Sequence, residues 1–452
     1  MAVAAASTAA IPHEPVYDAW AWLVWGRELA ALELDTSSGP SWKPLTVVVA
    51  AGLSLTGEAA PRLWLVLVQA AWLLALVLAA RLAYDLASAE SRSLRIAAAA
   101  FAAMSLVLLA DDVTLWSRQG AAGMCEPLAV ALVLAAASAA VLGRWRLSLA
   151  VAALVALVRP EAGPLLIAYG LWHWRRDPAL RPWVAGLALA VPALWVVPDL
   201  LTSGGAPSAA TRARRRDTGM PAEAAGDVLA YAAAMPLAVV WPLVVVAVVG
   251  VLASRRRARP AGLGGALPVL AVGALFWIAT VAAMAAAGFS GLPRYLAPAV
   301  AVAGVVAGVG VAQLLGAVRQ RRTAAAIAGV ALLAAAAQVP SRADQIPRGL
   351  ARVADTARAN DRLRSLVRRV GYERLLRCGR LRTTDIQVRT ALAWQLGVPL
   401  ARVPSIAAPP RIRMTLVLGP RASASMRAAM RADGKLLGRR GEWRVYSWDC
   451  PP

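Results

Sequence analysis

A chain of 452 residues in which 59% are hydrophobic and 16% charged, with a mean hydropathy of +0.59, is too apolar for a soluble globule and reads as a polytopic membrane protein. The formal net charge of +23 does not make it a nucleic-acid binder. Lys43 and Lys435 are its only lysines, and most arginines stand in short runs between apolar segments or in the C-terminal tail, as membrane topology produces.

Residues 1–12 (MAVAAASTAAIP) lack a basic n-region and are too short to span a bilayer, so no ordinary signal peptide is visible. A polar stretch follows, His13 to Pro44, rich in carboxylates and holding four tryptophans. Asp18, Trp22, Trp25 and Leu29 fall at helical spacing, so a helix lying on the bilayer presents one acid and an aromatic stripe along one face. The tract 45–57 (LTVVVAAGLSLTG) reads as a short re-entrant helix.

Apolar segments of spanning quality cover about 61–84, 95–110, 126–142, 184–200, 228–253, 265–287, 296–316 and 323–339. Two shorter ones, about 147–158 and 163–175, flank the sequence RPE at Arg159 to Glu161. A helix of about 12 residues covers only about 18 Å, so these two are expected to form a hairpin within a core of about 30 Å. The total is about ten crossings.

Arginine runs at Arg92/Arg95, Arg144/Arg146, Arg175/Arg176/Arg181, Arg255–Arg259 and Arg319–Arg322 alternate regularly and are assigned to the cytoplasm. The opposite loops, with everything after 340, are then extracytoplasmic, and they collect most of the acids, among them Glu14, Asp18, Glu28, Asp35, Asp111, Asp112, Glu126, Glu161 and Asp199. The run TRARRR at 211–216 breaks the rule, as an error of topology or as a basic patch for an anionic ligand. An even number of spans puts the N-terminus outside as well, and the topology therefore expects a first helix ahead of the acidic loop that this sequence does not show.

The sequence divides into an N-terminal region 1–44, a multi-span region 45–340 and a polar region 341–452. Residues 342–452 carry 23 basic and 8 acidic side chains, a net +15, suited to anionic lipid or polymer. An amphipathic helix at about 344–376 precedes alternating patterns at 411–419, 435–440 and 442–448, with a helix at about 421–432 between them, which reads as a small α/β domain. If that domain is extracytoplasmic, Cys378 and Cys450 are expected to form a disulfide closing it on itself. Inverted topology favours two buried thiols. Cys125 reads as a lone structural thiol. The fold class is thus an all-α polytopic membrane protein of about ten spans with a small C-terminal α/β extracytoplasmic domain.

The order of motifs VYDAWAW, PSWKPL, WSRQGAAGMCEPL, RPEAGPLL and GLPRYLAP, all on one side of the membrane, resembles the glycosyltransferase C superfamily. These multi-span enzymes, mannosyl- and arabinosyltransferases among them, use polyprenyl-phosphate-linked sugars at the outer face. The resemblance covers residues 13 to 339. It implies an inverting transfer from a polyprenyl-phosphate sugar donor to a lipid, cell-envelope glycan or protein acceptor. Asp18 matches the first-loop aspartate, the general base. Two departures stand out: no helix precedes the acidic loop, and Asp18 is single where many members have two adjacent acids.

Asp18 also reads as an interfacial carboxylate at a helix start. Glu14 and Asp35 are reserve acids. Lys43, Arg159 and Arg294 suit a departing phosphate, whose growing charge a fixed cation neutralises without proton transfer. Their plainer readings are an Arg159–Glu161 ion pair and an Arg294 snorkelling to headgroups. Glu126, with Asp111 and Asp112, suits sugar hydroxyls, a divalent cation such as magnesium or calcium, or plain solvation. Trp20, Trp22, Trp25, Trp42 and Trp116 are expected as interfacial anchors, with Trp22 the candidate for contact with substrate. The rival classes are a transporter, which calls for charges distributed through the spans, and a degenerate, non-catalytic family member serving as a scaffold.

Overall fold

A computed structural model describes residues 1–109, 116–203, 225–234, 237–253, 263–317, 339–407, 409 and 412–450. After α1 (Ala2–Ala10), α2 (Tyr17–Ala30) and α3 (Pro44–Ser54) come α4 (Ala60–Leu86), α5 (Arg92–Met104), α6 (Trp116–Ala121), α7 (Glu126–Val141), α8 (Trp145–Val158), α9 (Gly163–Arg176) and α10 (Arg181–Thr202). The described part of the bundle ends with α11 (Ala225–Ala234), α12 (Leu237–Ala253), α13 (Leu263–Ala286) and α14 (Ala297–Ala317). A five-residue π-helix, Ser105–Leu109, continues α5.

Nine of the ten apolar segments read from the sequence fall on these helices. The tenth, 323–339, lies outside the described residues apart from its last position. Four helical stretches, Gly57–Leu86, Pro178–Thr202, Gly265–Ala286 and Pro293–Ala317, are long and apolar enough to cross a membrane. The helices α7 and α8 are apolar but shorter, at 16 and 14 residues, or about 24 and 21 Å. A helix that stops short of the bilayer edge must have its terminal backbone groups satisfied inside the protein. Glu126 opens α7 and Arg159 follows α8 directly, so this shortfall puts charged side chains within the protein.

The centre of the bundle is α14, buried along most of its length. Its packing demands small residues. A Cβ on Gly308 would stand 2.5 Å from the Ala98 carbonyl oxygen of α5, so the two backbones touch, as glycine permits between membrane helices.

The polar region opens with α15 (Val339–Val370) and α16 (Tyr372–Leu376), then β1 (Leu381–Thr383), α17 (Arg389–Leu396), β2 (Met414–Leu418), α18 (Ala424–Asp433), β3 (Lys435–Arg440) and β4 (Trp443–Trp448). The sheet has the order β1-β2-β4-β3. β1 pairs parallel to β2, and β4 pairs antiparallel to both β2 and β3. Three strands and α18 coincide with the sequence patterns. β1 and α17 do not, because three residues of strand show no periodicity and α17 is an eight-residue helix buried on most sides. Trp443, itself buried, donates to the Ala359 carbonyl at 3.1 Å and ties the sheet to α15. Cys378 and Cys450 form a disulfide with Cα atoms 5.7 Å apart.

The sequence reading of α2 needs correction. It is not a helix on the bilayer with one aromatic face exposed, because Trp20, Trp22 and Trp25 are all buried, as is Trp42 in the following loop. The physical reason is cover on several sides. A Cβ on Gly26 would stand 2.5 Å from the Ala50 backbone carbon, so α2 lies directly on α3. Its other side meets the polar domain, where the Trp20 and Trp394 rings are 6.1 Å apart. The tryptophans are therefore core groups: Trp25 donates to the Asp35 carbonyl and Trp42 to the Leu194 carbonyl. The Trp116 side chain lies outside the described ones.

Candidate active site

Four separate chain segments bring charge to one point. Asp18 sits in the first turn of α2, where a carboxylate is favoured by the helix dipole. The capping role that its position allows is not taken up, since the N-cap is Val16 and no side chain caps the helix. Glu126 opens α7, Arg159 ends α8, and Arg294 lies in the 3-10 turn Pro293–Leu296 ahead of α14.

Arg159 donates through Nη1 to Glu126 Oε1 at 3.3 Å and through Nη2 to Glu161 Oε1 at 3.1 Å. Its guanidinium lies 3.9 Å from the centre of the Tyr295 ring, a cation–π contact that gains from desolvation. Arg294 reaches the same Glu126 oxygen through Nε at 3.3 Å, an ion-pair distance without hydrogen-bond alignment. Its Nη2 donates to Asp18 Oδ2 at 3.5 Å. A chain Glu161–Arg159–Glu126–Arg294–Asp18 results, alternating in sign throughout. Burial of so many charges is tolerable only because each faces an opposite one.

The chain is not uniform. The Arg159, Glu126 and Glu161 side chains are 3%, 2% and 5% exposed, whereas Arg294 and Asp18 are 23% and 22% exposed. The accessible end is thus the Asp18–Arg294 pair. Even at the closed end, Glu126 Oε2, Glu161 Oε2 and Arg159 Nε are buried with no hydrogen-bond partner among the described residues.

Lys43, the N-cap of α3, is buried, and its Nζ donates to Cys125 Sγ at 3.1 Å. Trp22 lies on its other side with the ring centre at 5.2 Å. A thiol is a weak acceptor, so this ammonium keeps capacity for an anion. Trp22 itself has no exposed surface and packs edge-on against Trp64 at 6.0 Å. It supports Lys43 and cannot stack on a sugar in this arrangement, which corrects its reading as a substrate contact.

The two reserve acids lie elsewhere. Glu14 accepts from Asn360 Nδ2 of α15 at 2.6 Å, and burial pushes its carboxyl up to about 7 although that hydrogen bond favours the charged form. Asp35 accepts from the Ser37 backbone N–H. Neither makes a hydrogen bond or ion pair to the Asp18 cluster among the described residues. Glu126 is engaged by two guanidiniums rather than offered to sugar or metal. Asp111, Asp112 and the run Arg212 to Arg216 lie outside the described residues, and no three His, Cys, Asp or Glu side chains converge as a metal needs among the described ones.

The Arg159–Glu161 ion pair read from the sequence is present. Two participants escaped the sequence reading as site residues, Tyr295 and Cys125. Each stands next to a named candidate, in PRYL and CEP, and that adjacency is the signal the sequence offers for them.

The bundle, its charge cluster and the sheet domain define a polytopic membrane protein of the fold that the glycosyltransferase C resemblance leads one to expect. Two crystal structures share this fold over nearly the whole chain. One is ArnT from Cupriavidus metallidurans in the apo state, with TM-score 0.51 and 16% identity over 99% of this chain and 97% of that one. The other is the same protein bound to undecaprenyl phosphate, with TM-score 0.53 and 16% identity over 99% and 96%. At that identity the likeness establishes the fold alone. No family model and no curated protein matches the sequence.

Proposed function

We propose that this protein is an integral membrane glycosyltransferase that moves a sugar from a polyprenyl-phosphate donor to a lipid, cell-envelope glycan or protein acceptor at the outer face, with inversion. The observation that carries this reading is the meeting of Asp18 with Arg294 and Glu126 from three distant segments. The fold shared with a protein crystallised with undecaprenyl phosphate supports it.

In this reading Asp18 takes the proton of the acceptor hydroxyl while that oxygen attacks the anomeric carbon and the bond to the phosphate oxygen breaks. The donor is a phosphodiester with one negative charge, and the departing polyprenyl phosphate gains a second. Arg294 and Lys43 meet that growing charge, worth most in a water-poor site because they are already oriented. Arg159, buried and paired with two carboxylates, holds Glu126 in place and is assigned no direct contact with the phosphate. No step is routed through a divalent cation.

A transporter would need charge distributed through the spans, and the central helix α14 carries none between Ala297 and Ala317. The test is transfer from a radiolabelled polyprenyl-phosphate sugar in membranes. Asp18→Asn is expected to lower the rate by roughly 10²- to 10⁴-fold. Equal transfer by a normally inserted Asp18→Asn protein removes Asp18 as the base.

A further inference from the structure

The acid assigned as the base is not free in this structure. Its Oδ2 is held by Arg294 Nη2 at 3.5 Å, and Arg294 is also a cation expected to meet the phosphate. Resting on the reading above, we propose that Asp18 and the donor phosphate compete for Arg294, so that donor binding unmasks the base and product release masks it again.

Three observations lead there. First, within one continuous ion-pair chain only the Asp18–Arg294 end is open: both side chains are more than a fifth exposed, against 2% and 3% for Glu126 and Arg159. A guanidinium held on one side by a buried Glu126 and on the other by a partly exposed carboxylate has one exchangeable partner. Second, that partner is held weakly, at the longest distance in the chain, and ion pairs open to solvent contribute less than closed ones. Third, the surroundings favour an incoming anion. Arg118 of α6 lies near enough to Arg294 and Arg352 that their positive charges, after burial, push its guanidinium down. Lys43 waits with only a thiol as hydrogen-bond acceptor.

The competition has a direction. The donor phosphodiester offers two non-bridging oxygens and can engage the guanidinium with two bonds, where Asp18 now supplies one; the departing monoester offers three. As the sugar leaves, phosphate charge grows and Arg294 is drawn further from Asp18, so the pairing is strongest with the transition state and product. Once polyprenyl phosphate departs and Asp18 has passed the acceptor's proton to water, Arg294 returns to the ionised carboxylate. Glu126 and Arg159 act as positioning residues, since they keep Arg294 Nε fixed while Nη2 changes partner.

The proposal makes an expectation that a simple base does not: removing the base tightens binding of the lipid phosphate. Purified full-length protein in nanodiscs is titrated with undecaprenyl phosphate, with uncharged undecaprenol as control, following the fluorescence of the buried tryptophans near Lys43. Asp18→Asn, and Asp18→Ser as a second variant, are expected to bind about threefold or more tightly than wild type, the order of a lost surface pair. Arg294→Gln is expected to bind more weakly, and the gain from Asp18→Asn is expected to vanish in the Arg294→Gln background. Unchanged or weaker binding by both Asp18 variants, with wild-type binding intact, overturns the competition. Wild-type binding no better than that of undecaprenol overturns the reading of the site itself, and the competition with it.

Discussion

One oxygen of Glu126 faces two guanidiniums, and neutralising it leaves both facing a neutral amide at 2% exposure. Breaking a buried pair from one side strands the other charge, at a cost of about 3–5 kcal/mol. Glu126→Gln is therefore expected to lower the midpoint of thermal unfolding in detergent far more than Asp18→Asn, whose partner keeps access to water. Comparable losses for the two would contradict the division into a closed and an open end. At this scale the sequence was informative about position and, apart from the Arg159–Glu161 pair, silent about partners. Asp18, Glu126, Arg159 and Arg294 were legible because acids and arginines beside apolar runs are conspicuous. That Glu126 faces both guanidiniums and that Tyr295 lies under Arg159 was not, since each contact joins segments distant in the chain. Glu14 and Asp35 resembled Asp18 in composition and environment along the chain. Only packing separates them from the cluster.

The helix α2 is where element-scale forces concentrate. Arg27 donates to the carbonyls of Trp394 and Val398 at 3.1 and 2.9 Å and lies 5.1 Å from the Trp394 ring centre. It thereby satisfies backbone oxygens at the C-terminus of α17, the end that prefers a cation. Glu28 accepts from the backbone N–H groups of Asp35 and Leu400, both at 3.1 Å. Burial pushes both Glu28 and Glu14 up to about 7 from an ordinary value near 4.5, against hydrogen bonds that favour the charged form. Raised carboxyl values mean that the docked state binds more protons than the undocked one between about pH 4.5 and 7, so docking strengthens as pH falls through that window and weakens as it rises. Hydrogen exchange of Arg389–Leu396 is expected to slow between pH 8 and pH 5 after correction for the intrinsic rate. Glu14→Gln, which keeps the acceptor for Asn360, is expected to flatten part of that dependence. An exchange rate independent of pH would refute the coupling. The same element misled the sequence reading: an acid and two tryptophans at helical spacing describe an interfacial helix and a buried one equally well, and the covering surface comes from residues nearly 370 positions away.

For the molecule as a whole, the bundle was readable because nine apolar segments exceed any soluble alternative, and the sheet domain because β2 and β4 alternate or run apolar over five and six residues. Two expectations concern the side on which the sheet domain lies. A reporter active only in the cytoplasm, fused after Pro452, is expected to be silent. Cys378→Ser is expected to lower the stability of the polar domain by about 2–4 kcal/mol, because the Cys378–Cys450 bond closes 72 residues. An active reporter, or loss of the disulfide in protein isolated under non-reducing conditions, would place the domain on the other side.

The burial of α2 also bears on how the protein is made. Asp18 is synthesised ahead of the described helices α3 to α14, whereas the Trp394 ring, the Leu400 amide and the Ala393 carbonyl that fix its helix are synthesised after them. The segment that carries Asp18 therefore waits through insertion of those helices without its final scaffold. A nascent chain halted after Arg294 and before Arg389 carries every member of the ion-pair chain in its sequence and is expected to leave α2 undocked, so that α2 is cleaved by added protease until α17 has been made.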